Sequence, residues 1–334
     1  MLDKKHSVKK AFLGGVFSIL ILAAAAFVLL NQQYIKDQIT VWSYSPPANI
    51  QVIEDRVDFT GKGQFHFYST QPQLDGSEQF NSDCPRQEVG NPILGCYSAG
   101  RIYVYDVTNP ELDGIEEVTA AHEMLHAVWE RMSDEERIKI GALLKAEYRS
   151  ITNNTDLAAR MSYYERTEPG QLDNELHSIL GTEIENINPE LETYYAQFFK
   201  DRKKVVALHE KYNALFTDLK VRSDTLYAEL TELGASIEAR SQKYDTDVGE
   251  LSADISSFNR RADNGDFSSI NQFNSERSAL LVRSNQLDAD RLSISNDIAR
   301  YNQKINQYND ISSKIDALNR SIDSIKDLQP APSV

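Results

Sequence analysis

His122, Glu123 and His126 form an H-E-x-x-H sequence inside Ile115 to Met132, IEEVTAAHEMLHAVWERM. On a helix, residues four apart lie one above the other, so both imidazoles can reach a single metal ion. Glu123 stands about 100° around the helix from His122, beside such an ion rather than on it. Zinc suits imidazole and oxygen donors, keeps a fourth position open and brings the pKa of its bound water to about 7. Glu123 is then placed to act as general base on that water and to pass the proton to a leaving amine. These residue types in this spacing point to zinc-dependent hydrolysis of a peptide bond.

The simpler account of two histidines one turn apart is a solvated helix face. The surrounding pattern argues against it. Val118, Ala121, Leu125 and Val128 form an apolar stripe that must pack on a core, which brings the histidines to the edge of that core. The chain has only six histidines, and two of them stand in this motif.

The segment resembles the active-site helix of zincin metallopeptidases. Arg101–Val107 (RIYVYDV), alternating at period two, resembles the edge strand on which that family lays out its substrate backbone by strand addition. The glycine and third histidine of metzincins do not follow, because His126 leads into AVWERMSDEE. The resemblance therefore implies a gluzincin arrangement, with the third ligand a glutamate on a later helix. In Gln171 to Ile187, QLDNELHSILGTEIENI, the pairs Asn174-Glu175 and Gly181-Thr182 resemble the ligand-bearing helix of thermolysin-like enzymes, with one residue fewer between them. Glu175 is the third ligand so implied. The resemblance covers about residues 50–200.

Read from its residues alone, that segment leaves alternatives open. Leu172, Leu176, Ile179, Leu180, Ile184 and Ile187 make a buried face, with Glu175 and His177 flanking it and Glu183 near its centre. A carboxylate among apolar residues is costly unless it is paired or bound to metal. His177 and Glu183 thus remain alternatives for the third ligand, or groups that support it. Ile179 stands where the thermolysin pattern has an aspartate. Tyr163 and Tyr164 are either an oxyanion donor or packed aromatics on a connecting helix.

Several elements must carry this site. A chain of 334 residues is long enough for two folded units. A net charge of −15, from 35 Lys+Arg against 50 Asp+Glu, excludes a non-specific nucleic-acid binder. Ala11–Leu30 carries no charge over twenty residues, enough at helical rise to span about 30 Å of hydrocarbon. Lys4, Lys5, Lys9 and Lys10 precede it, which puts the amino terminus in the cytoplasm and everything after Asn31 outside. Tyr34, Trp42 and Tyr44 follow as interfacial anchors. Cys84 and Cys96, in the turn-rich DCPRQEVGNPILGC, suit a disulfide in an oxidising compartment. From Ile50 to Thr108 the pattern reads as strand and turn, with Gly63–Thr70 (GQFHFYST) alternating at period two.

Beyond Val205 the apolar residues recur at gaps of three, four and seven. After a break at Ala262-Asp263-Asn264-Gly265-Asp266, one heptad position runs Phe273, Leu280, Leu287, Ile294, Tyr301, Tyr308, Ile315, Ile322. A narrow seam in a polar background predicts an antiparallel coiled-coil hairpin, each arm roughly 85 Å long. Its many Ser and Asn residues make a weak coiled coil that suits a coiled-coil partner or a homodimer.

The fold class expected is α+β. A zincin-like domain over residues 51–200, a small mixed sheet with active-site helices, follows a cytoplasmic tail (1–10), a transmembrane helix (11–30) and a linker (31–50). A coiled-coil hairpin (201–328) and a short tail (329–334) complete the chain. The function expected is a membrane-anchored, extracytoplasmic zinc peptidase acting on protein or cell-wall peptide. Its alternative is a non-catalytic envelope scaffold working through the hairpin.

Overall fold

The computed structural model describes residues 3–84, 93–151 and 153–324, with side chains from Val16 onward. The chain is mostly helical, with one small sheet. Its helices are α1 (Asp3–Leu30), α2 (Gln32–Ser43), α3 (Ala48–Val57), α4 (Gly61–Ser69), α5 (Ser77–Asp83), α6 (Ile115–Arg131), α7 (Asp134–Ser150), α8 (Thr155–Thr167), α9 (Leu172–Thr182), α10 (Pro189–Tyr195), α11 (Arg202–Asn264) and α12 (Ile270–Ile322). The strands are β1 (Gln73–Asp75), β2 (Gly95–Ser98) and β3 (Arg101–Tyr105). The chain divides into two compact units: one runs through Ala214 and resumes at Asn319, and the other is Leu215–Leu318.

The expected strand-and-turn region from Ile50 to Thr108 holds all three strands but also α4, α5 and most of α3. Gly63–Thr70 lies mainly on α4 rather than on a strand. Its start is capped by Thr60, whose Oγ1 accepts from the Gly63 amide at 3.1 Å. Gly63 and Phe67, four apart, are the positions turned into the core, and a Cβ on Gly63 would collide with the Phe198 carbonyl. A short aromatic run fits both periods, and here the cap and the close approach to Phe198 select the helix. On α3, Ile50, Ile53 and Val57 are buried at gaps of three and four, a helical spacing.

The sheet has the order β1-β3-β2, with β1 parallel and β2 antiparallel to β3. Arg101–Val107 is therefore not an edge strand. Its first five residues form the central strand, because Gln73–Asp75 pairs along its other side. The two outer strands are β1 and β2. Cys84 and Cys96 are joined in a disulfide with Cα atoms 6.1 Å apart, fastening the end of α5 to β2. The segment between Cys84 and Ile93 lies outside the described residues.

Helix α6 runs through the middle of the first unit. Ala120, Ala121, Met124, Leu125, Ala127 and Val128 are all buried there. Around them lie Ile50, Ile53 and Val57 of α3, Ile102 and Val104 of β3, and Leu176, Ile179 and Leu180 of α9. Arg202, 2% exposed, closes this core. It donates to the carbonyls of Leu180, Ile184 and Glu185 and pairs with Glu192, satisfying the end of α9.

The second unit is a pair of antiparallel helical arms. Arg240 pairs with Asp297, Lys304 with Glu229, Arg283 with Asp254 and Arg261 with Glu276, so numbers fall along one arm as they rise along the other. Tyr301 of the heptad seam packs on Gly234, and Phe258, Phe267 and Phe273 cluster near the turn with ring centroids 5.1–5.2 Å apart. The second arm ends at Ile322, and the expected bound at 328 and the tail 329–334 lie outside the described residues.

Helix α1 covers Ala11–Leu30 as one continuous backbone helix. Among the described residues, no single helix is long and apolar enough to cross a membrane. Val16–Leu30 and Gln32–Ser43 meet the length and composition together as a pair bent by 76°.

Packing of α4 carries a pH signature. The rings of Phe65 and Phe198 flank His66, and its Nδ1 is buried with no hydrogen-bond partner among the described residues. Burial, with smaller contributions from Arg131 and Lys62, pushes its pKa down from 6.5 to about 4. A depressed folded-state pKa gives stability that is complete above 6.5 and is lost as pH falls toward 4. The thermal midpoint should therefore drop between those values, and His66→Leu should flatten that drop. Equal pH slopes for the two proteins would refute the assignment.

Candidate metal centre

The site is built where α6 and α9 cross. Glu116 and Glu117 in the first turn of α6 and Arg131 in its last complement the helix dipole. The helix starts at Gly114, whose φ of +103° suits glycine and whose missing side chain admits Leu208. Glu116 also accepts from the Val107 amide at 2.8 Å, fixing the passage from β3 into α6.

On α6, His122 and His126 present their rings to each other, 4.8 Å between centroids and 76° between planes. Donor atoms of His122, Glu123 and His126 lie within 4.8 Å of one another, a group that could hold a metal ion. Glu175, from the first turn of α9, faces both imidazoles. Its Oε2 is 3.8 Å from His122 Nε2 and its Oε1 is 3.6 Å from His126 Nε2. These separations are too long for hydrogen bonds. They approach the roughly 3.4 Å between neighbouring donors in a tetrahedral zinc shell with bonds near 2.1 Å. Imidazole and carboxylate donors so placed could hold a metal ion.

The His126 ring is oriented from behind. Its Nδ1 donates to Asn174 Oδ1 at 2.9 Å, with Ser178 Oγ at 3.3 Å. Asn174 Nδ2 donates to Gln171 Oε1 at 3.1 Å, so the amide presents oxygen to the ring. That tautomer leaves the Nε2 lone pair free to bind a cation. Burial opposes ionisation of Glu175, yet the neighbouring imidazoles of His122 and His126, with a smaller contribution from the Tyr164 hydroxyl, hold its carboxyl below the ordinary range.

Glu123 has a different environment. It is 7% exposed, and burial raises its pKa to about 7, with His126 and a Tyr97 backbone amide opposing and Glu175 reinforcing the rise. Strand β2 presses on it. A Cβ on Gly95 would stand 2.9 Å from Glu123 Cγ and 2.5 Å from Thr119 Cγ2. Strand β2 and the acidic side chain are thus in direct contact.

The alternatives to Glu175 lie elsewhere. His177 is fully buried and turned away, with Nε2 on the Tyr194 hydroxyl at 2.8 Å and its ring against Trp129 and Tyr195. Burial pushes its pKa to about 3, which keeps it neutral. Glu183 follows the last residue of α9. Arg160 donates to both its oxygens, at 3.0 and 2.5 Å, and His209 Nε2 lies 3.3 Å away. Burial opposes the charge on Glu183, but Arg160 keeps it ionised.

Two supporting residues were open or unassigned in the sequence. Tyr164 lies where its hydroxyl helps to hold the Glu175 carboxyl low, and Tyr163 stacks edge-on against Tyr164. Arg160 on α8 pairs with Glu183, just past the end of α9, and Tyr164, one turn further along α8, lies by Glu175. Asn174 was visible as part of a pair, but the structure makes it the partner of His126.

No protein-family model, curated protein or solved structure matches this chain.

The α6–α9 crossing depends on Gly181. A Cβ there would collide with Leu125 Cδ1 and stand 2.9 Å from Tyr195 Cε1. Gly181→Ala should cost about 1–3 kcal/mol in denaturant unfolding by overpacking. Moving α9 should also weaken cobalt or zinc binding in titrations of the full chain. Unchanged stability and affinity would show that the crossing is looser than described.

Proposed function

We propose that this chain is a membrane-anchored zinc peptidase whose folded units lie outside the cytoplasm. The observation that carries the reading is the convergence of Glu175 on His122 and His126 at 3.8 and 3.6 Å, with Glu123 beside them but on a separate strand contact. His122, His126 and Glu175 are the ligands of this reading. Glu123 also lies close enough to be considered a ligand, but its carboxylate accepts from the Tyr97 amide on β2, whereas that of Glu175 faces both rings.

Zinc held there would polarise a scissile carbonyl and make water a nucleophile near neutral pH. The chain's own residues do the rest. Glu123 takes a proton from the attacking water and delivers it to the departing amine. Asn174 and Ser178 fix the His126 ring, and Tyr164 steadies the Glu175 carboxylate. Strand β2, the outer strand that lies next to Glu123, aligns an extended peptide by strand addition. An extended peptide is therefore the substrate class, from a protein or a cell-wall crosslink.

Export is supported by the uncharged stretch Ala11–Leu30 behind four lysines and by the Cys84–Cys96 disulfide. The helical arms, salt-bridged but sparsely packed, suit a second helical partner or a second copy of the chain.

The full chain should carry about one zinc per molecule by elemental analysis. Glu123→Gln should retain the metal and lose peptide hydrolysis by about 10²–10⁴-fold. Glu175→Ala should lose the metal while the fold persists by circular dichroism. Background zinc in the unaltered protein, or full activity in Glu123→Gln, would contradict the proposal.

A further inference from the structure

Helix α2 has two unlike sides. One is docked on the first unit through an ion pair that is almost fully buried. Asp37, 3% exposed, accepts from Arg131 Nε at 2.7 Å and from its second guanidinium nitrogen at 3.0 Å. Tyr34 on the same helix packs its ring 5.7 Å from that of Phe65. The other side carries Ile35, Ile39 and Trp42, four and three residues apart and so in one stripe. Trp42 is 79% and Ile39 58% exposed.

This stripe begins where the apolar surface of α1 ends. Only Asn31 separates the two helices, the bend between them is 76°, and α1 is exposed along Val16–Leu30. A shallow groove of about 310 Å³ joins them at the elbow, lined by Val28, Gln32, Ile35, Lys36, Ile39 and Thr40. A span through the bilayer followed by a near right-angle bend lays the next helix along the membrane surface. Its apolar stripe then meets the headgroup–acyl boundary, with a tryptophan at the depth such side chains favour. The bent pair does not form a single broken span, because the far side of α2 is ion-paired to Arg131.

We infer that α2 is an interfacial helix whose Ile35–Ile39–Trp42 face lies in the surface of a lipid bilayer and seats the candidate metal centre against it. This rests on the reading of α1 as a membrane span and not on the presence of zinc. Arg131 is the last residue of α6, and it also donates to the Tyr97 hydroxyl on β2 at 3.0 Å and to the Ala127 carbonyl at 2.9 Å. One ion pair therefore links the lipid-facing helix to both the helix that bears the histidines and strand β2. The centre sits at a set height above the membrane, suited to peptide segments close to the bilayer.

The chain contains only two tryptophans, Trp42 and Trp129, which makes the test direct. The full chain is reconstituted in phosphatidylcholine vesicles with bromine on the upper acyl carbons, and its emission is compared with that in unbrominated vesicles. Trp42 lies near the far end of a helix about 18 Å long, so short-range quenching reaches it only if α2 lies on the membrane. Emission should fall in the brominated vesicles, and Trp42→Phe, at a site outside the core, should abolish the fall. Flotation after a carbonate wash reports on α1 separately. A chain that floats with Trp42 unquenched retains its anchor and overturns the proposal, as does unquenched emission that shifts to the blue with protein concentration, the mark of a second copy on this face. A chain that does not float overturns the membrane reading and this proposal with it, leaving the zinc reading intact.

Discussion

The close crossing of α6 and α9 is the constraint on which the rest depends. Gly181 lets Leu125 and Tyr195 approach the α9 backbone, and that approach brings Glu175 up to His122 and His126. A carboxylate this buried would ordinarily take up a proton or leave the core. Glu175 stays charged because two imidazoles and a tyrosine hydroxyl surround it. The other elements serve that meeting: β2 presses on Glu123, Arg202 closes the end of α9, and Arg131 ties the end of α6 to α2.

The two buried glutamates differ in their neighbours rather than in burial. Glu175 is held low by two imidazoles that could hold a metal ion, whereas Glu123 is raised to about 7 beside strand β2. One environment suits a permanent ligand and the other a group that gains and loses a proton. Glu183, ionised by Arg160 on the neighbouring helix, shows a third outcome, a purely internal ion pair.

Much of this was legible in the sequence where one period or one spacing dominates. The H-E-x-x-H helix, the Glu175 helix and the two long arms all carry helical spacing over many residues, and all appear as expected. The disulfide pairing followed from there being only two cysteines. The reading failed over Gly63–Thr70, where an aromatic run fits two periods and the deciding contacts, Thr60 at the start and Phe198 from far along the chain, are not local. It failed again on the order of strands. Gln73–Asp75 is only three residues long, too short to announce a strand, yet its pairing moves Arg101–Tyr105 from the edge to the centre. The different partners of Glu175, His177 and Glu183 were not legible either, since they come from α6, α8 and α10 and from His209, far apart in the chain.

X-ray absorption at the zinc edge, recorded on the zinc-loaded full chain, tests the central claim most directly. The account predicts a low-coordinate shell at about 2.0–2.2 Å containing two imidazoles, with oxygen in the remaining positions. A shell with fewer than two imidazoles, or one made only of water and surface carboxylates, would contradict it.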